Sequence, residues 1–182
     1  MKFRKTFDTA TITQLLRYED VSGLGRIFLY AFVNDLLFMR KPFPFDCKSA
    51  QIFENYCLSG IEGDVSVIDL FIVDKSGNHL VIENNVTGDG QPSQLQHFCE
   101  HVRGNTKFNP DNYRLVFLTI NGEQPKEDTQ VVCEYVSYRK DILSWLATCS
   151  QYAWRYPQLK KEIIRYKRFI KRRVRFQNHL MQ

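Results

Sequence analysis

The sequence has no apolar run near the ~18 residues that a membrane-spanning helix needs. Its opening stretch, MKFRKTFDTATITQ, is basic but lacks an apolar core behind the charges, so no secretory signal is expected. Cysteine is sparse and disordered in spacing. Cys47, Cys57, Cys99, Cys133 and Cys149 are odd in number and never spaced Cys-x-x-Cys, and only four histidines accompany them. A zinc site and a disulfide framework are therefore poor readings, and reduced, buried thiols in a cytoplasmic protein are expected. There is no internal repeat and no low-complexity linker. The GDG at 88–90 is not followed by a Gly-Lys-Ser/Thr pattern, which makes it a weak phosphate cradle.

What is present fits one domain of 182 residues, 43% hydrophobic and 14% aromatic, long enough to bury a core unaided. The net charge of +5 conceals an asymmetry. From Lys160 to Gln182 there are nine Lys/Arg and one acid, against 16 and 19 in the remaining 159 residues. Within this segment Leu159, Ile163, Tyr166, Ile170 and Val174 fall on one helical stripe. The pattern predicts an amphipathic helix over 156–175, its apolar stripe docked and its charges turned outward. Lys160, Lys161, Arg165, Arg168, Lys171 and Arg172 then form a face suited to a polyanion, with a solubilising face or a membrane-surface helix as the other readings.

Periodicity divides the rest. Helical spacing runs through Leu15, Leu16, Leu24, Ile27, Phe28, Ala31, Phe32, Leu36 and Leu37, with Gly23 and Gly25 as the break and KPFPFD as the end. Short runs rich in β-branched and aromatic residues follow: QIFENYCL (51–58), VSVIDLFIV (65–73) and HLVIENNV (79–86), the last two joined by a hairpin turn at DKSGN. A helix after Pro92 carries Leu95, Phe98, Cys99 and Val102 on one side. Gln94, His97 and His101 lie on the other, either meeting a phosphate backbone or simply facing solvent. NYRLVFLTI (112–120) and QVVCEYVSY (130–138) are further strands, and DILSWLATCS is helical with Asp141 as its N-cap. A strand meander followed by a helical crossover implies a mixed sheet with helices on its faces.

Two acids interrupt apolar strands: Asp69 and Glu83. Buried charges are usually paired or bound to metal. In neighbouring hairpin strands the two can stand side by side at one end of the sheet, a pair of hard oxygen ligands suited to Mg²⁺. Solvated strand ends are the plainer reading for either acid alone.

The pattern I-D-L-F-I, turn, V-I-E-N-N, then Q-L-x-x-F resembles the PD-(D/E)XK nuclease superfamily, in particular bacterial members with an I-E-N-K strand and a Q-L-x-x-Y helix. GLGRIFLYAF (23–32), VSYRKDILSWL (136–146) and YPQLKKEIIRYKRFIK (156–171) resemble further parts of the same family, so the likeness runs over nearly the whole chain. The resemblance implies an α/β fold with a restriction-endonuclease-like core: a central mixed sheet flanked by helices, with N-terminal helices and a long basic C-terminal helix. A single domain over 1–182 would divide into a helical part (1–46), the core (47–150) and the basic helix (151–182). It further implies Asp69 and Glu83 as metal ligands for Mg²⁺ or Mn²⁺, and Gln94 as a supporting residue. Glu54 or Glu19 would be an additional acid. Asn85 occupies the place of the catalytic lysine, and asparagine can hydrogen-bond a water or phosphate but carries no positive charge. Lys75 and Lys107 are the candidate replacements. The expected function is hydrolysis of phosphodiester bonds in nucleic acid, DNA favoured over RNA. The alternatives are an inactive nuclease fold that binds nucleic acid or protein, or an interaction protein directed at a nuclease system. A homodimer or other protein partner stays open.

Overall fold

The change from helical to alternating spacing near residue 50 is realised as helices packed on a five-stranded sheet. The computed structural model describes residues 9–18, 24–37, 44–58, 66–86, 98–99, 112–124 and 133–180. Helix α1 (Thr9–Leu16) and helix α2 (Leu24–Tyr30) precede the sheet, and α2 runs on as a wider, π-wound turn over Ala31–Leu37. Strands β1 (Gln51–Leu58), β2 (Ser66–Val73), β3 (His79–Asn84), β4 (Tyr113–Thr119) and β5 (Glu134–Ser137) lie in the sheet in sequence order. β1, β2 and β3 are antiparallel neighbours, whereas β3, β4 and β5 run parallel, so the sheet is mixed, as the sequence implies.

The β2–β3 hairpin closes on DKSGN through one carboxylate. Asp74 accepts from the backbone N–H groups of Ser76 (2.8 Å) and Asn78 (2.9 Å), from Asn78 Nδ2 (2.8 Å), and from the Asp46 N–H (2.9 Å). Gly77 supplies the left-handed residue, at φ 79°. Burial raises the Asp74 pKa, but these hydrogen bonds outweigh it and leave the group below its ordinary value.

The end of the predicted fifth strand differs from expectation. Strand β5 stops at Ser137, and Tyr138–Ile142 already winds as a π turn into helix α3 (Leu143–Tyr152). The cap is Ser137, not Asp141. Its Oγ accepts from the Lys140 and Asp141 N–H groups, while the Asp141 carboxylate accepts from the Ser137 N–H (2.7 Å) and Oγ (2.8 Å). This is a reciprocal capping box, and it fixes where strand becomes helix. A 3₁₀ turn at Ala153–Arg155 leads into helix α4 (Pro157–Leu180).

Alternation along the strands splits the interior in two. Leu70, Ile72, Leu80, Ile82, Val116, Leu118 and Val136 share one core with α1, α2, α3 and α4. All five residues of the predicted α4 stripe are buried there, each contributing about 1.5–3 kcal/mol. Trp145 ties α3 to α2, donating to Phe28 O at 3.0 Å and meeting the Phe32 ring edge-on. On the other face Phe71, Val81, Leu115 and Phe117 pack with Phe98 and Cys99, the two described residues of the helix expected after Pro92. Among the described residues no helix is long and apolar enough to cross a membrane.

Candidate active site

Pairing between β2 and β3 runs from Val73↔His79 to Leu70↔Ile82 and stops there. The next residues along are Asp69 and Glu83. In place of a further backbone rung, the Asp69 carboxylate accepts the Asn84 N–H at 2.8 Å. The strands part at this level for a reason visible on both sides of β2. Ile68 and Phe71 share one core although they are three apart, so the strict alternation slips at Asp69. On β1, between the partners Glu54↔Leu70 and Tyr56↔Ile68, Asn55 has a left-handed backbone (φ 49°), a conformation asparagine tolerates better than most residues. Phe53 and Tyr56 consequently both meet the Phe71 ring.

The kink sets Asp69 against Glu83. Their side chains are hydrogen-bonded, and Glu83 is 7% exposed. Parallel pairing puts Glu83 level with Phe117, which is buried beside Phe98 and Phe71. Burial, then the neighbouring Asp69 charge and the hydrogen bond to it, push the Glu83 carboxyl up to about 8. Burial also raises Asp69, partly offset by the Asn84 N–H and the Glu83 side chain. Both carboxyls are thus held above their ordinary values, and the pair retains a proton toward neutral pH.

The two asparagines separate by strand alternation. Asn84 turns toward the helices, donating to Thr9 Oγ1 (3.3 Å) and accepting from the Tyr138 hydroxyl (3.1 Å). It is a brace between α1, β3 and the start of α3. Asn85, two residues past Glu83, falls on the carboxyl side of the sheet. Its N–H continues the bonding to β4 at Leu118 O (2.8 Å), and it is buried.

The other expected site residues are placed as follows. Glu54 lies on β1 but pairs with Arg17, just past the end of α1 (3.8 Å), not with the carboxyl pair. Lys75 is ruled out as a stand-in for the missing lysine. It sits in the hairpin turn, at the opposite end of β3 from Glu83, where its Nζ pairs with Asp46 (3.6 Å). Gln94, His97, His101, Glu19 and Lys107 lie outside the described residues. Lys160, Lys161, Arg165 and Arg168 line one open groove on α4, while Lys171 and Arg172 are exposed further along the helix. Among the described residues, no three His, Cys, Asp or Glu side chains are grouped so as to hold a metal ion.

Sequence patterning missed Tyr138 and Thr9 as the holders of Asn84, because they come from elements 54 and 75 residues away. It also missed Trp154. The run Tyr-Ala-Trp-Arg-Tyr at 152–156, aromatics interleaved with arginine, was the available signal.

No curated protein and no solved structure matches the chain. The family model of the PD-(D/E)XK nuclease superfamily matches residues 7–174, nearly the full length. The chain belongs to the PD-(D/E)XK nuclease superfamily.

Proposed function

We propose that this protein hydrolyses phosphodiester bonds in nucleic acid, DNA in preference to RNA, with a divalent cation (Mg²⁺ or Mn²⁺) held by Asp69 and Glu83. The observation that carries the reading is the buried carboxyl pair where β2 and β3 part. The donor set fits such a cation. Two adjacent carboxyl groups offer hard oxygens, and magnesium takes one or two carboxylates together with waters and substrate phosphate. When bound, the cation supplies charge neutralisation at the phosphodiester and a lowered pKa for water.

The chain's own residues do the rest. Asn84 N–H fixes one oxygen of Asp69 and so holds the carboxylate against Glu83. Asp69 and Glu83 would hold the cation as two carboxylates, its charge favouring the deprotonated form of Glu83. Asn85 offers its amide to a water or phosphate oxygen, and Gln94 is assigned the supporting role that the family pattern implies. Glu54 and Glu19 remain the acids from which an additional contribution would come. Phe117, level with Glu83 on β4, backs the inner side of the pair. Lys160, Lys161, Arg165, Arg168, Lys171 and Arg172, with His97 and His101, are assigned to the nucleic acid. A single domain over 1–182 and a cytoplasmic location belong to the same proposal.

A second reading has a specific observation behind it. Asn85 stands where a lysine is expected, and Lys75 faces the wrong end of β3. A charge aimed at developing negative charge is worth about 10²–10³ in rate, so a binding protein with feeble cleavage is the alternative. Cleavage of single- and double-stranded substrates with Mg²⁺ or Mn²⁺ separates the two. Activity abolished by Asp69→Ala supports the nuclease; an inert parent that cuts only after Asn85→Lys supports the binding protein.

A further inference from the structure

Trp154 is 64% exposed, on the short turn between α3 and α4, although a tryptophan is among the costliest side chains to leave in water. The Arg155 guanidinium lies 4.6 Å from its ring centroid. Beside it opens a groove of about 550 Å³, lined by Trp154, Ile164, Lys160, Lys161, Arg165 and Arg168 together with the first residue of α4. The groove lining contains four cations and no acid. Arg165 is paired with Glu162 at 2.7 Å; among the described residues no carboxylate pairs with Lys160, Lys161 or Arg168. The first turn of α4 has no acid, so the positive end of a 24-residue helix adds to the same field. On the helix, positions 161, 164, 165 and 168 lie opposite the buried stripe of Leu159, Ile163, Tyr166, Ile170 and Val174, with 160 on its flank. The groove therefore faces outward by construction.

We infer that this groove binds an unpaired nucleotide of a nucleic-acid strand, its base stacked on Trp154 and its flanking phosphates held by Lys160, Lys161 and Arg168. An exposed indole next to a row of cations is the arrangement that reads single strands: the ring takes any base face, and the cations take the backbone. A duplex keeps its bases stacked on one another and has nothing to offer the indole. The inference rests on the nucleic-acid reading given above, but not on cleavage.

Tryptophan fluorescence gives the test, because Trp145, at 3% exposure, is the other tryptophan and is held in the core. The full-length protein is titrated in EDTA with a 12-nucleotide oligo-dT strand and, by anisotropy, with a blunt 12-base-pair duplex. The single strand is expected to quench the emission. Trp154→Ala is expected to weaken single-strand binding about 5- to 100-fold, Trp154→Phe by a few-fold at most, and duplex binding by less than about 2-fold. A Lys160→Glu/Lys161→Glu variant is expected to weaken both. Single-strand affinity unchanged in Trp154→Ala, or an equal loss on duplex, overturns the assignment. So does equal quenching by polyglutamate or by phosphatidylglycerol vesicles. Since EDTA silences catalysis, this result stands apart from the Asp69-dependence of cleavage, and either reading can fail without the other.

Discussion

Replacing Glu83 by glutamine should stabilise the metal-free protein, and increasingly so as the pH rises. Below pH 4.5, the ordinary value for this group, folded and unfolded chains both keep the proton. Above it the unfolded chain releases the proton, while the folded chain retains it until about 8. Folding is thus progressively disfavoured between pH 4.5 and 8. At 1.36 kcal/mol per unit, the loss is about 3 kcal/mol by pH 7 and about 5 kcal/mol above pH 8. Glutamine fills the same space, donates to Asp69 as the protonated acid does, and does not titrate. Urea denaturation of both proteins in EDTA at pH 4.5 and pH 7 isolates the carboxyl pair, because groups that do not touch Glu83 cancel in the difference between them. The stability of Glu83→Gln relative to the parent should rise by about 3 kcal/mol between the two pH values, or about 6–12 °C in melting temperature for a chain of this size. A relative stability that stays flat to within about 0.5 kcal/mol, or that falls as the pH rises, would refute the protonated carboxyl pair.

Adding Mg²⁺ or Mn²⁺ at pH 8 should offset about half of this loss, since a cation at a hundred times its dissociation constant contributes about 2.7 kcal/mol; a melting shift that persists in Asp69→Asn would place the cation elsewhere. Tyr138→Phe removes the hydroxyl that donates to Asn84 and should cost about 1 kcal/mol by chemical denaturation, with Thr9 still holding the other end of the amide. Asp74→Ala should cost about 3 kcal/mol at pH 7, because it strips the acceptor from four donors of the hairpin turn. Asp74 has a lowered pKa, so that contribution is present above about 3.8 and is lost as the pH falls below it; a cost unchanged at pH 3 would argue against it. Affinity for any nucleic acid should fall steeply with salt, by about 0.7–0.9 log units per log unit of salt for each phosphate neutralised. Binding that is level between 50 and 200 mM would remove α4 from the interface.

Much of this molecule is local in origin and therefore legible in order of residues. Strand β1 falls on the predicted run because β-branched and aromatic residues favour a pleated, half-buried surface. The DKSGN hairpin closes because Asp74 bonds to its own neighbours. The α4 stripe is buried as spaced because a 3.6-residue period admits one apolar face. Asp69 and Glu83 stood out from sequence for the same kind of reason, as charges inside apolar runs. What needed the tertiary structure was anything that depends on two distant segments at once. That Glu83 is held toward its protonated form follows from its burial beside β4 and from Asp69 facing it, neither of which its own strand supplies. Asn84 is a brace and not a ligand because Thr9 and Tyr138 reach it from both sides. The cap moved from Asp141 to Ser137 because the strand's last residue and the helix's first turn bond to each other. Trp154 is left in water because the turn between α3 and α4 carries it outward while Ala153 beside it takes the buried position. Sequence period determines which residues are buried; which of them titrate, brace or stay exposed is set by what the fold packs against them.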